Sequence, residues 1–192
     1  MRESVSLGAF SVSDQIGRGG MGTVYRGKHR ETGLPVAIKV VRGMTDRRRA
    51  RERFHREVQA HASLVHPGIV YLFEYGEVDA ATAKRSGGEL RAGMPYVVME
   101  LADRGTVRNA MPLQGWDGVI RLVTQVLDAL AHAHARDLVH RDLKPENFLV
   151  FGSEEAESRI KLADFGLAHA TGREQESGHE EPTSSAGTPY YM

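Results

Sequence analysis

Cysteine is absent from the 192 residues. Its absence excludes a disulfide scaffold, a cysteine-ligated zinc site and a thiol nucleophile. Long hydrophobic runs are missing too. No stretch approaches the ~18 consecutive apolar residues that suggest a membrane span. Met1–Phe10 has no apolar core of a signal peptide. The expected compartment is the cytoplasm, with an anchor beyond Met192 outside the reading. An excess of one charge is also lacking: Lys and Arg total 25, Asp and Glu 25. That balance argues against a bulk nucleic-acid binder, and no nucleic-acid partner is expected. Aromatics are 7% of the chain, hydrophobic residues 41% and charged residues 26%, ordinary values for a folded globular protein. The length suits one domain, or two small lobes, with a real core. Arginine outnumbers lysine 20 to 5, which reads as a compositional bias.

Strand signals dominate the first part. Phe10–Ile16, Thr23–Gly27 and Val36–Val41 are rich in β-branched and aromatic residues and separated by glycine and proline turns. Asp46–Ser63 reads as an exposed helix stopped at His66-Pro67-Gly68. Ile69–Tyr75 and Pro95–Leu101 read as strands, and the basic stretch Asp79–Gly93 between them as a flexible loop. Apolar residues at Val119, Leu122, Val123, Val126, Leu127 and Leu130 predict an amphipathic helix over Gly118–Arg136. Leu138–Val150 is expected to be a loop entering a strand, and Arg159–Leu162 a short strand. Ala170–Ser185 is polar and expected to be mobile. No internal repeat is visible. The order predicts an α+β arrangement, a strand-dominated lobe followed by a helical one.

Four strings carry chemistry. Ile16-Gly-Arg-Gly-Gly-Met-Gly-Thr-Val24 has the spacing G-x-G-x-x-G-x-V. A dinucleotide fold would open a helix after the third glycine, whereas here a strand follows. Strand, glycine turn, strand suits a flap whose N–H groups approach phosphates. Val36-Ala-Ile-Lys39 puts a lysine in an apolar strand, where it needs an anionic partner; Glu57 is the candidate. His140-Arg-Asp-Leu-Lys-Pro-Glu-Asn147 gathers a carboxylate, a lysine and a carboxamide on one loop. Asp142 can accept a hydroxyl proton, and Asn147 can ligate a hard cation. Lys161-Leu-Ala-Asp-Phe-Gly166 supplies Asp164, a hard-oxygen ligand suited to Mg²⁺.

In that order the four strings resemble the eukaryotic-like serine/threonine protein kinases, and Gly17–Gly27 looks most like the bacterial members. The resemblance implies a two-lobe fold: a β-rich N-lobe with one regulatory helix over residues 10–101, and an incomplete helical C-lobe over 102–192. It implies transfer of the γ-phosphoryl group of Mg-ATP to Ser or Thr hydroxyls of proteins. By that resemblance Ile16, Gly17, Arg18, Gly19, Gly20, Met21 and Gly22 cover the ATP phosphates. Lys39 binds the α/β-phosphates and pairs with Glu57. Val24, Ala37 and Leu149 sandwich the adenine, Met99 is the gatekeeper, and Glu100 to Ala102 form the hinge. Asp142 positions and deprotonates the acceptor, Lys144 contacts the γ-phosphate, and Asn147 and Asp164 hold Mg²⁺. Thr188 would tie the peptide-positioning loop to Asp142 and Lys144. Arg141 would gather an activation-loop phosphate, with Thr183, Ser184 and Ser185 as candidates for autophosphorylation.

Two departures from the family pattern stand out. The match stops at Met192, before the A-P-E segment and further helices, so a catalytic domain truncated there is expected. The apolar face of Gly118–Arg136 would then lack part of its packing. His61 stands where the family usually places an apolar residue against the Phe of D-F-G. It is expected to pack neutral against Phe165; the sharper alternative is that its protonation weakens the active alignment. The runner-up functional reading is a truncated, non-catalytic nucleotide-binding or pseudokinase-like interaction module.

Overall fold

The computed structural model describes residues 5–43, 48–110, 115–152 and 158–165. They divide into two compact units, Met1–Val58 with Tyr71–Leu101 and Gln59–Val70 with Ala102–Met192.

The first unit is built on an antiparallel sheet. Its strands are β1 (Ser6–Leu7), β2 (Phe10–Gly19), β3 (Gly22–His29), β4 (Pro35–Val41), β5 (Leu72–Glu77) and β6 (Pro95–Glu100), in the order β1-β2-β3-β4-β6-β5. The register places Tyr25 opposite Ile38 and Ile38 opposite Val98, and Val40 opposite Tyr96. Directly opposed and alternate residues share a face. One face is therefore apolar, and Leu7, Phe10, Tyr25, Val36, Ile38, Val40, Tyr96 and Val98 form a buried core there.

The stretch expected to be a flexible loop, Asp79–Gly93, is instead tied into that core. Helix α2 (Ala80–Arg85) starts at an Asp79 cap, whose Oδ1 accepts from the Thr82 N–H at 2.8 Å. The buried Thr82 hydroxyl donates to the Ser6 carbonyl at 3.1 Å. Leu90 and Met94 complete the anchoring inside the apolar cluster. A helix this short shows no periodicity in the sequence; its cap and two anchors hold it.

Helix α1 (Arg48–Ala62) buries Phe54 and Val58 completely. The strand expected over Ile69–Tyr75 begins only at Leu72. Ile69 forms a parallel bridge with Leu162, and the Val70 N–H donates to the Leu162 carbonyl at 2.9 Å. Residues 59–70 thus belong to the second unit.

That unit holds α3 (Val107–Ala110), α4 (Gly115–His134), a 3-10 turn (Pro145–Asn147) and the hairpin β7 (Phe148–Phe151) and β8 (Arg159–Leu162). Helix α4 begins three residues before the expected Gly118. Ala129 and Ala133 pack with Leu64, Ile69, Leu162 and Phe165, and Val126 and Leu130 close the cluster. Leu122 joins a second cluster around Val107, Val150 and Ile160. Trp116, Ile120, Val123 and Leu127 remain exposed. No helix among the described residues is long and apolar enough to cross a membrane. Thr183, Ser184, Ser185, Thr188 and the polar stretch 170–185 lie outside the described residues.

Candidate functional site

In the first unit the glycine string is the β2–β3 hairpin. Gly17 pairs with Val24, Arg18 with Thr23, and Gly19 with Gly22, so Gly20 and Met21 form the tip. The glycines are there for different reasons. A Cβ on Gly22 would lie 2.1 Å from the Val40 carbonyl oxygen, so the close approach to β4 requires glycine. A Cβ on Gly19 or Gly20 would meet nothing within 4 Å. Neither packing nor positive φ demands glycine at these two positions. The open space on their Cβ side leaves room for an approaching phosphate. Arg18 and Ile16 are exposed beside it, and Met21 is half-buried.

The same sheet presents its other face through Val24, Ala37, Lys39, Val97 and Met99. Val24 and Val97 both lie opposite Lys39, and Ala37 lies opposite Met99. Lys39 is 6% exposed within this apolar set. Glu57 is half-buried on α1. Glu100 closes β6 and its carboxylate accepts from the Tyr71 N–H at 3.0 Å. Ala102 and Leu149 lie in the second unit, both half-buried, and Leu149 bridges Thr106.

In the second unit an irregular loop is held by side chains. Lys144 Nζ donates to Asp142 Oδ2 at 2.5 Å. Asn147 Nδ2 donates to the Asp142 carbonyl at 2.7 Å and lies 3.4 Å from Oδ2. Both Asp142 and Asn147 are buried. His140 Nε2 lies 2.8 Å from the Ala163 carbonyl, which can only accept, so the proton sits on Nε2. Its Nδ1 then accepts from the Asp142 N–H at 3.4 Å. Burial pushes the His140 pKa down, in keeping with this neutral form. The Ala163 N–H donates to the Asn147 carbonyl at 2.9 Å. Asp164 is therefore delivered beside Asn147 through the backbone of its neighbour.

Two non-glycine residues of this region sit in the left-handed conformation, Arg141 at φ 65° and Asp164 at φ 64°. Such positions cost about 1–3 kcal/mol each and persist where their surroundings over-determine them. The surroundings here are the hydrogen bonds just described. Phe165 is fully buried between the rings of His61 and His140, at 5.3 Å and 4.6 Å. His61 packs on Phe165 as expected. Its Nε2 lies 3.1 Å from the Val70 carbonyl and therefore carries the proton.

The sequence reading missed two features of this loop. One is the double use of the Ala163 backbone. The other is an ion pair between Arg108 of α3 and Glu146, 2.6 Å long. The partners are 38 positions apart, and no local pattern announces them.

The strings Asp142–Lys144–Asn147 and Asp164–Phe165 are thus brought into one hydrogen-bonded unit, downstream of a glycine hairpin and a buried strand lysine. The Protein kinase domain family matches residues 10–192. The chain belongs to this family. It is 35% identical to the serine/threonine-protein kinase Pkn1 of Myxococcus xanthus over 98% of its length, and 38% identical to PknF of Mycobacterium tuberculosis over 88%. The chain spans only 25% and 34% of those two relatives. The solved PknI kinase domain of Mycobacterium tuberculosis superposes with a TM-score of 0.67 at 30% identity, over 86% of this chain and 62% of that one.

Kinases take ATP with a divalent cation, and the donor set suits one. The described residues hold no group of three or more His, Cys, Asp or Glu able to grip a metal alone. Asn147 and Asp164 are one amide and one carboxylate. With Nδ2 committed to the Asp142 carbonyl, Oδ1 is the Asn147 atom that remains for a hard cation. So lean a set suits a hard divalent cation that keeps waters and shares phosphate oxygens.

Proposed function

We propose that the chain is an ATP-dependent serine/threonine protein kinase segment that uses Mg²⁺. The arrangement of Asp142, Lys144 and Asn147 carries this reading. Asp142 orients a Ser or Thr hydroxyl and accepts its proton as the oxygen bonds to the γ-phosphorus and the β-γ bridging bond breaks. Lys144, held on Asp142 Oδ2, also neutralises charge on the transferring phosphoryl group in this reading. Gly19 and Gly20 offer N–H groups to phosphates, and Lys39 supplies a fixed positive charge for them. Val24, Ala37, Met99 and Leu149 supply apolar surface for the base, with Glu100 and Ala102 offering backbone groups to its edge. Glu57 orients Lys39. Asn147 and Asp164 hold the cation, which when bound would neutralise charge on the phosphoryl oxygens. Protein substrates, and autophosphorylation at Thr183, Ser184 or Ser185, belong to the same proposal.

The test is paired. Mg²⁺-dependent stabilisation of the chain by ATP is expected in thermal melts and lost in Asp164→Ala. Transfer of labelled phosphate to a serine or threonine peptide is expected and abolished by Asp142→Asn. Transfer that survives Asp142→Asn unchanged would sink the assignment.

A further inference from the structure

The catalytic loop holds two carboxylates, and each is covered by a cation from a different source. Lys144 covers Asp142 from within the loop. Arg108 covers Glu146 from α3. The second pair is not needed for the chemistry proposed above, so its presence asks for a reason.

Arg108 is placed firmly. The Val150 N–H donates to the Gly105 carbonyl at 2.9 Å, and Thr106 bridges Leu149, which ties the start of α3 to β7. The Ala110 N–H returns to the Thr106 carbonyl at 2.9 Å and closes the turn. From this turn Arg108 Nη1 donates to Glu146 Oε1 at 2.6 Å. The other carboxylate oxygen, Oε2, is enclosed and accepts no hydrogen bond among the described residues. Arg108 thus covers the carboxylate. The arginine side chain covering it is 66% exposed, against 39% for the glutamate. Arg141, next to Asp142, is exposed as well. Arg108 and Arg141 are thus more open to solvent than the two acidic residues, Asp142 and Glu146.

A peptide that offers its hydroxyl to Asp142 must pass this charge. An extended chain advances about 3.4 Å per residue, so residues two to four places from the acceptor lie about 7–14 Å away. That is comparable with the screening length of about 8 Å at physiological salt. Glu146 adjoins Asn147, whose Nδ2 donates to the Asp142 carbonyl at 2.7 Å, so the loop keeps Glu146 near Asp142.

We propose that Arg108, by covering Glu146, is a specificity-determining residue that biases the kinase toward serine and threonine peptides with acidic flanking residues. This rests on the kinase reading, because it takes Asp142 as the point the acceptor approaches. Without Arg108, Glu146 becomes an uncovered acidic position and the preference shifts toward basic flanks.

The experiment compares two fluorescent serine peptides of equal length, one flanked by glutamates and one by arginines two to four places from the acceptor. Affinities are read by anisotropy at fixed ionic strength, and transfer rates in parallel. The parent chain is expected to bind the glutamate peptide about two- to fivefold more tightly, the scale of one exposed ion pair. Arg108→Ala is expected to abolish or reverse that ratio. Adding Glu146→Gln to it should remove any reversal, and Arg108→Lys should retain most of the parent's preference. An unchanged ratio in Arg108→Ala, a parent that prefers the arginine peptide, or no binding of either peptide overturns the proposal. If Arg108→Ala fails to melt cooperatively, Arg108→Gln reads the same ratio. Transfer to both peptides with an unaltered ratio defeats this inference alone. The expected affinities without any transfer defeat the kinase reading instead.

Discussion

The two units hold their candidate functional residues by different means. In the first, Val24, Ala37, Lys39 and Met99 share a face because strand register puts them there. Position is set by the ladder, and each side chain is one of many that the ladder carries. In the second, Asp142, Asn147 and Asp164 sit on irregular backbone. Hydrogen bonds from His140, Asn147 and the Ala163 backbone help to hold them. The first arrangement spreads its cost over a sheet; the second concentrates it in local side-chain and backbone contacts. Substitutions should therefore act locally in the loop and gradually in the sheet.

The sharpest break of that comparison is at Phe165. Phe165→Ala empties a fully buried site between two histidine rings and is expected to lower stability by about 3–5 kcal/mol, read by denaturant unfolding. Asn147→Ala removes the donor to the buried Asp142 carbonyl. It should cost about 1–3 kcal/mol in the same measurement, with loss of Mg²⁺-dependent nucleotide stabilisation. A substitution on the sheet face, Val24→Ala, removes part of a half-buried side chain and should cost less than either loop change.

His140 gives the loop a pH dependence. Burial lowers its pKa below the ordinary 6.5, so the folded state resists a proton that the unfolded chain accepts. Its unfavourable contribution is absent above that value and grows as pH falls from 6.5 toward the folded pKa. Thermal melts between pH 7.5 and 5 should show the midpoint dropping, with a shallower drop in His140→Phe. A slope unaltered by that substitution would assign the pH dependence to other groups. The smallest expected effect is at the hairpin tip. Gly20→Ala should alter stability by no more than about 0.5 kcal/mol, because its Cβ meets nothing, yet weaken ATP stabilisation. Gly22→Ala, driven into the Val40 carbonyl, should show a clear stability loss by the same melt.

Much of this was legible where the information was local. The strand Val36–Val41 and the helical spacing of Val119, Leu122, Val123, Val126, Leu127 and Leu130 are read within a dozen residues, and β4 and α4 lie where they point, although Val123 and Leu127 stay exposed. The four chemical strings are contiguous for the same reason. The kinase family they suggested is the one the chain belongs to. What escaped was relational. Helix α2 depends on Thr82 reaching Ser6, 76 positions away. Ile69 and Val70 read as strand, but their partner is Leu162, so they leave the sheet that Leu72 joins. Arg108 and Glu146 give no sign of each other until the chain is folded.

The backbone of Ala163 carries a further consequence. Its carbonyl accepts from His140 and its N–H donates to Asn147. The link between the Asp142–Asn147 loop and Asp164 is thus written in main-chain atoms that nearly every residue type possesses. Evolution can vary the side chain at 163, within the room its burial allows, without erasing the link. Proline, which has no N–H, is the exception, and so is any insertion or deletion that shifts position 163 against Asn147.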